Sequence, residues 1–241
     1  MVRVHRGQPV YELYEFFKER RATLESMKIE YFNQIALSVP KDKIYSRLGF
    51  AKGVTKLDDK QRDQVEGYIE KALEIVELKG AGAILSINKI ETSKIILAEG
   101  ISFVSESLAK FLVDSKEVLL MAATAGSKIV EVISQDSAGK DITAAVVFDA
   151  VASEMTDGTL SWIINYFNRQ LSRENKQLTS RRFSAGYGDF SLDNQKVIYD
   201  LLKLGQLGIS LNDKYILTPE KSVTALAGIG FKEERRSRRR K

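Results

Sequence analysis

Apolar residues recur at three- and four-residue steps through Val65, Tyr68, Ile69, Ala72, Leu73 and Val76. That spacing lines one face of an α-helix. Asp58, followed three residues later by Gln61, supplies a capping box at its start, and Gly80 and Gly82 are expected to end it. Upstream, residues 10–39 are rich in helix formers and hold neither proline nor glycine until Pro40. This predicts one long helix or two shorter ones.

From residue 80 the pattern shortens. Residues 83–87 and 94–97 read as strands, residues 105–112 as a helix, and the wholly apolar run 118–123 as a further strand. Gly126-Ser127 then leads into a short helix over 127–133. Asp141 opens a segment that stays apolar nearly all round to Leu171, as expected of a helix in the middle of a domain, with Gly158 near a close contact or a bend. A glycine-rich loop over 181–194, a helix over 192–204 and short strands near Ile209, 215–217 and 222–226 complete the pattern, with Asn212-Asp213 as a turn. The class is α+β: a helical N-terminal part over 1–79, a mixed α/β domain over 80–231 and a basic tail over 232–241.

Composition narrows the chemistry. With 241 residues, 44 % of them apolar, the chain is long enough for a substantial core. It has no cysteine and one histidine, His5, which removes disulfides, thiolate metal sites and thiol nucleophiles and argues against a Ser–His triad. No apolar run approaches the roughly 18 residues of a membrane span, and the first residues lack the apolar core of a secretory signal. A cytoplasmic protein is expected, without membrane or metal. The net charge of +5 lies in the last ten residues, seven basic and two acidic, leaving 30 of each sign in a neutral body. Such a tail is expected to be disordered and solvated; contact with acidic partners or RNA is the alternative, but the interleaved aromatics of a single-strand platform are missing.

Four stretches carry candidate chemistry. Gly80–Leu85, GAGAIL, has the look of a dinucleotide loop but lacks the third glycine, which stands as Leu85. The strand-to-helix turn at Gly126-Ser127-Lys128 offers free N–H groups to an anion, although a plain tight turn explains it as well. Asp149, Ser153, Glu154 and Asp157 sit at helical spacing on the apolar helix, and must face a partner, a cleft or water. In RRFSAGYGDF, Gly186 and Gly188 flank Tyr187, so the backbone can take positive φ and come close to a ligand. Arg182 adds a planar donor fork for a carboxylate or phosphate.

That loop and the segment after it resemble the activation domain of cobalamin-dependent methionine synthase and its stand-alone relatives. The shared pattern is an Arg-x-(Ala/Ser)-x-Gly-Tyr loop, here Arg182, Ser184, Gly186 and Tyr187, then a helix. Next come Gly208-Ile209-Ser210-Leu211, Leu217, Pro219 and Ser222-Val223. The likeness extends over about 117–230. One departure stands out: Leu226-Ala227 occupy the place of an aromatic pair that comes after the "SV" strand in full methionine synthases.

The resemblance implies an S-adenosylmethionine site, with adenine on the loop backbone and the methionyl carboxylate on the arginine. By position these roles fall to Arg182, Ser184, Gly186 and Tyr187, with Glu154 as the acidic contributor from the long helix. It further implies a module that supports reductive methylation of a corrinoid, with cobalamin carried by a partner methionine synthase or related corrinoid protein and an electron from a flavodoxin-like reductant. No catalytic residue of its own is implied. The alternative is a non-catalytic interaction protein that keeps the fold without the ligand.

Overall fold

The computed structural model describes residues 27–232 apart from 52, 53 and 56. His5, the expected helix before residue 27 and the basic tail beyond Lys232 lie outside those residues. In chain order the elements are β1 (Glu30–Phe32), α1 (Lys41–Arg47), α2 (Asp59–Ile75), β2 (Lys79–Ile90), β3 (Lys94–Leu97), β4 (Ser102–Val104), α3 (Glu106–Leu112) and β5 (Glu117–Thr124). They continue as α4 (Ser127–Gln135), α5 (Ile142–Leu171), β6 (Lys176–Leu178), α6 (Asn194–Leu201), β7 (Ser210–Leu211), β8 (Leu217–Thr218) and β9 (Ser222–Phe231).

An antiparallel sheet of order β4-β3-β2-β5-β9-β6 forms the frame, with β1 paired to the first part of β2. β5 is its spine, in register with β2 from Thr124↔Lys79 to Glu117↔Ser86 and with β9 from Thr124↔Ser222 to Glu117↔Ile229. The two-residue period of a strand divides its apolar run between two cores. Leu119, Met121 and Ala123 face α5 together with Ala225, Ala227 and Ile229 of β9. Val118, Leu120 and Ala122 face the opposite layer, where Leu226 joins residues of α3 and α6. The N-terminal half of α5 is wrapped by α1, α2 and α4, through residues such as Ile44, Ile69, Ala72 and Ile129. Layers on several sides explain why α5 is apolar nearly all round. Among the described residues no helix is long and apolar enough to cross a membrane.

Two expectations need correction. The segment up to Val39 is not helical where it is described: Glu30, Tyr31 and Phe32 form β1, and a chain without regular secondary structure continues to Pro40. Tertiary pairing overrides helix propensity here. β1 sets Phe32 edge-on to Trp162 at 5.0 Å and to Tyr166 at 4.8 Å, while the Tyr31 hydroxyl donates to the Leu202 carbonyl on the other face.

Gly80 and Gly82 do not end α2 either. The capping box of Asp58 and Gln61 starts that helix as expected, but it stops at Ile75, and both glycines lie within β2. Their role is close packing. A Cβ on Gly80 would stand 2.7 Å from Ile163 Cδ1, and one on Gly82 2.5 Å from Phe167 Cε2. The GAGAIL stretch is therefore strand, pressed beneath α5. We expect Gly82→Ala to destabilise the protein by about 1–3 kcal/mol, the usual cost of overpacking a core. At about 2–4 °C per kcal/mol for a domain of this size, the fall is readily seen in thermal denaturation; an unchanged melting temperature would show that α5 is free to lift.

Candidate functional site

The site is built where the chain leaves β6 and runs on beside β9. The Thr179 N–H donates to the Gly228 carbonyl, and the next backbone pairing is reciprocal between Phe183 and Leu226, at 2.9 and 2.7 Å. Four residue steps on the loop side thus face two on β9, and the surplus forms a bulge. The bulge turns Arg182 off the strand toward α5. Its Nη1 donates to the Asp157 carbonyl at 3.2 Å, and its Nη2 lies 3.6 Å from Asp157 Oδ1. Arg181 stays exposed.

Beyond the bulge the loop is fixed at both ends and free in the middle. At its start the Ser184 hydroxyl donates to the Thr224 carbonyl at 2.8 Å. At its end Phe190 is fully buried, edge-on to Phe103 at 5.3 Å. The Gly186 N–H donates to the Phe190 carbonyl at 2.7 Å, closing the turn, and the Tyr187 N–H donates to the Ser184 carbonyl. Gly186 has φ +90° and Gly188 +56°, a region that glycine enters without strain. Tyr187 between them is 67 % exposed.

Asp189 locks the turn to α3. Its carboxylate accepts from the Ser105 hydroxyl at 2.7 Å, the Glu106 N–H at 2.6 Å and the Ser107 N–H at 3.1 Å, meeting free donors at the helix start. Ser105 is itself the N-cap of α3, accepting from the Leu108 N–H. Sequence reasoning gave Asp189 no role of its own within the loop, since the Ser105 that it meets is 84 residues away.

The acidic side chains of α5 separate. Lys221 takes Asp149 at 2.6 Å and Ser153 at 3.2 Å. Glu154, 9 % exposed, pairs with Arg47 of α1 at 2.7 Å beside a cleft of about 380 Å³ that Lys43 and Ser46 also line. The carboxylate beside Arg182 is that of Asp157, one turn further along α5. The structure therefore brings Arg182, Ser184, Gly186 and Tyr187 together on one loop and sets Asp157 against it, while the partner of Glu154 is Arg47. Leu226 and Ala227, which stand in the place of the aromatic pair, are both fully buried, on opposite faces of β9.

At the turn before α4, Gly126 is the N-cap and no side chain caps the helix. The Gly126 N–H donates to Thr124 Oγ1, and Lys128 pairs with Glu77 at 2.6 Å.

Among solved structures the fold is similar to the crystal structure of the MetH reactivation domain bound to AdoHcy, with a TM-score of 0.54 and 12 % sequence identity. The likeness covers 84 % of this chain and 78 % of that one. No family model and no curated protein matches. At this identity the likeness shows a shared fold and nothing more.

The Ser105 hydroxyl, helped by Ser107 and by the N–H groups of Glu106 and Ser107, holds the Asp189 carboxyl well below the usual carboxylate range. Its folded value thus lies below its unfolded one, so the unfolded chain takes the proton more readily. The stabilisation is complete above the unfolded value of about 4 and is lost as pH falls through the folded one. We expect the melting-temperature difference between wild type and Asp189→Ala to be flat above about pH 5 and to shrink steadily below about pH 4. A difference independent of pH down to strongly acid solution would contradict the lock.

Proposed function

We propose that the protein is an S-adenosylmethionine-binding module that supports reductive methylation of a corrinoid carried by another protein. The observation that carries this reading is the Arg182–Asp157 pair set beside the Gly186–Tyr187–Gly188 turn. A methionyl group is a zwitterion. Its carboxylate suits the planar fork of Arg182, and its ammonium suits the carboxylate of Asp157, so the ligand replaces one ion pair by two. The cost of leaving either charge unpaired does not arise. The turn supplies backbone at close range for an adenine, with Tyr187 exposed next to it.

The protein's part is binding and orientation. On the partner, the sulfonium methyl of S-adenosylmethionine and one electron from a flavodoxin-like reductant convert cob(II)alamin to methylcobalamin, releasing S-adenosylhomocysteine. The module's contribution is to hold the sulfonium where that methyl can be taken. The fold shared with the MetH reactivation domain, solved with AdoHcy bound, supports this assignment.

A second reading rests on a specific observation. Ala227 is fully buried under α5, and no aromatic side chain from this part of β9 can reach a ligand. On that reading the fold persists as an interaction module without the ligand.

Calorimetric titration with S-adenosylmethionine separates the two. We expect binding, and Arg182→Ala to weaken it by about 1.5–3 kcal/mol, the range for a hydrogen bond to a charged group, or about ten- to a hundredfold. Arg181→Ala should change it little. Of the two α5 carboxylates, Asp157→Asn should cost more than Glu154→Gln, because Glu154 is already paired with Arg47. Equal losses at Arg181 and Arg182 would indicate a diffuse charge effect.

The transfer itself is read from the absorbance change to methylcobalamin in a mixture of the protein, a corrinoid protein held as cob(II)alamin, S-adenosylmethionine and reduced flavodoxin. Each omission should abolish it. A protein that binds the ligand but leaves the complete mixture inert would sink the methylation role.

A further inference from the structure

One buried amide links the loop to a hairpin on the far side of α6. Gln195, the second residue of α6, is 9 % exposed, and both ends of its side chain are engaged. Its Nε2 donates to the Tyr215 carbonyl at 2.7 Å, and its Oε1 accepts from the Thr224 hydroxyl at 3.0 Å. The backbone carbonyl of Thr224 in turn accepts from the Ser184 hydroxyl at 2.8 Å. Three hydrogen bonds therefore run without a gap from the tip between β7 and β8, through α6 and β9, to the first residue of the turn.

The tip at one end of this chain is itself tightly specified. Tyr215 has φ +61°, a conformation costly for a residue with a bulky side chain. It is held there by Asn212, whose Oδ1 accepts from the N–H groups of Lys214 and Ile216 at 2.9 and 3.0 Å, and by the Gln195 amide on the Tyr215 carbonyl. A leucine at 195 would fill the same space. An amide in that position is stable only while both partners stay in place, because losing one leaves a buried polar group unsatisfied. It couples their positions as an apolar contact would not.

We infer that Gln195 is a positioning residue which ties the β7–β8 tip to the 184–187 turn, so that displacement of the tip is felt at the turn. The coupling belongs to the fold; its consequence for ligand affinity rests on the proposed S-adenosylmethionine-binding role.

Hydrogen exchange in the full chain tests it, read at the Gly186 and Tyr187 amides, which close the turn. Asn212→Ala loosens the tip without touching the loop. We expect it to speed exchange at those two amides by about fivefold in the wild-type background and by less than about twofold when Gln195→Leu is also present, the non-additivity expected of residues in one network. Thr224→Val cuts the same link while leaving α6 intact, and should suppress the effect equally; it serves if Gln195→Leu folds poorly. No acceleration in the wild-type background, or the same acceleration with the link cut, overturns the inference. Titration of the same proteins with S-adenosylmethionine reports separately: a wild type that binds none removes the ligand reading, while the exchange result still decides the coupling.

Discussion

Helix α5 lies against β2 at a distance that only hydrogen atoms permit. Gly80 and Gly82 face Ile163 and Phe167 where any Cβ would fall well inside van der Waals contact. Ala123, Ala225 and Ala227 extend this small-residue floor across β5 and β9. The rest of the layout depends on that approach. Because α5 is pressed to the sheet along its C-terminal half, its N-terminal half projects past the sheet and has to be covered by α1, α2 and α4. The same placement sets the acidic residues of α5 against three different neighbours. Asp149 reaches Lys221, Glu154 reaches Arg47, and Asp157 reaches Arg182.

The loop obeys the opposite logic, with rigid ends and an open centre. Ser184 is held by β9, Phe190 by the aromatic core, and Asp189 by the N-terminus of α3. Gly186 and Gly188 then turn the backbone between these anchors without conformational strain. On the proposed reading, a ligand would meet a surface already formed, and little ordering entropy would oppose its binding. Asp189 matters more than its exposed position suggests. It joins the turn to α3, the helix that leads from β4 into the spine strand β5.

Much of this was legible in the sequence, and the exceptions share a cause. The apolar run 118–123, the capping box at Asp58, the Ser105 helix and the long helix from Asp141 to Leu171 depend on local periodicity and capping, and they lie where the pattern put them. β1 and the strand role of Gly80 and Gly82 depend on what lies opposite them in space, which no local window carries. Glu30 pairs with Gly82, and Phe32 with Gly80. The loop from Arg182 to Tyr187 could be picked out from its glycines and its resemblance to a known family. Its acidic neighbour could not. Glu154 and Asp157 are both compatible with helical spacing, and only the packing of α1, which supplies Arg47 to Glu154, separates them.

The departure at Leu226-Ala227 is part of the same packing rather than an isolated loss. β9 alternates its side chains, sending Leu226 into the α3 and α6 layer and Ala227 toward α5, where it shares a core with Leu160, Ile163 and Phe167. A tyrosine at 227 has no room while α5 rests on Gly80 and Gly82. Small residues on β2 and a small residue on β9 are therefore two expressions of one close contact. The charged groups that this contact positions are Asp157 on the helix and Arg182 on the bulge. On the proposed reading, recognition would concentrate on the charged end of an amino-acid moiety, and the spacing between α5 and the Arg182 bulge would set the affinity.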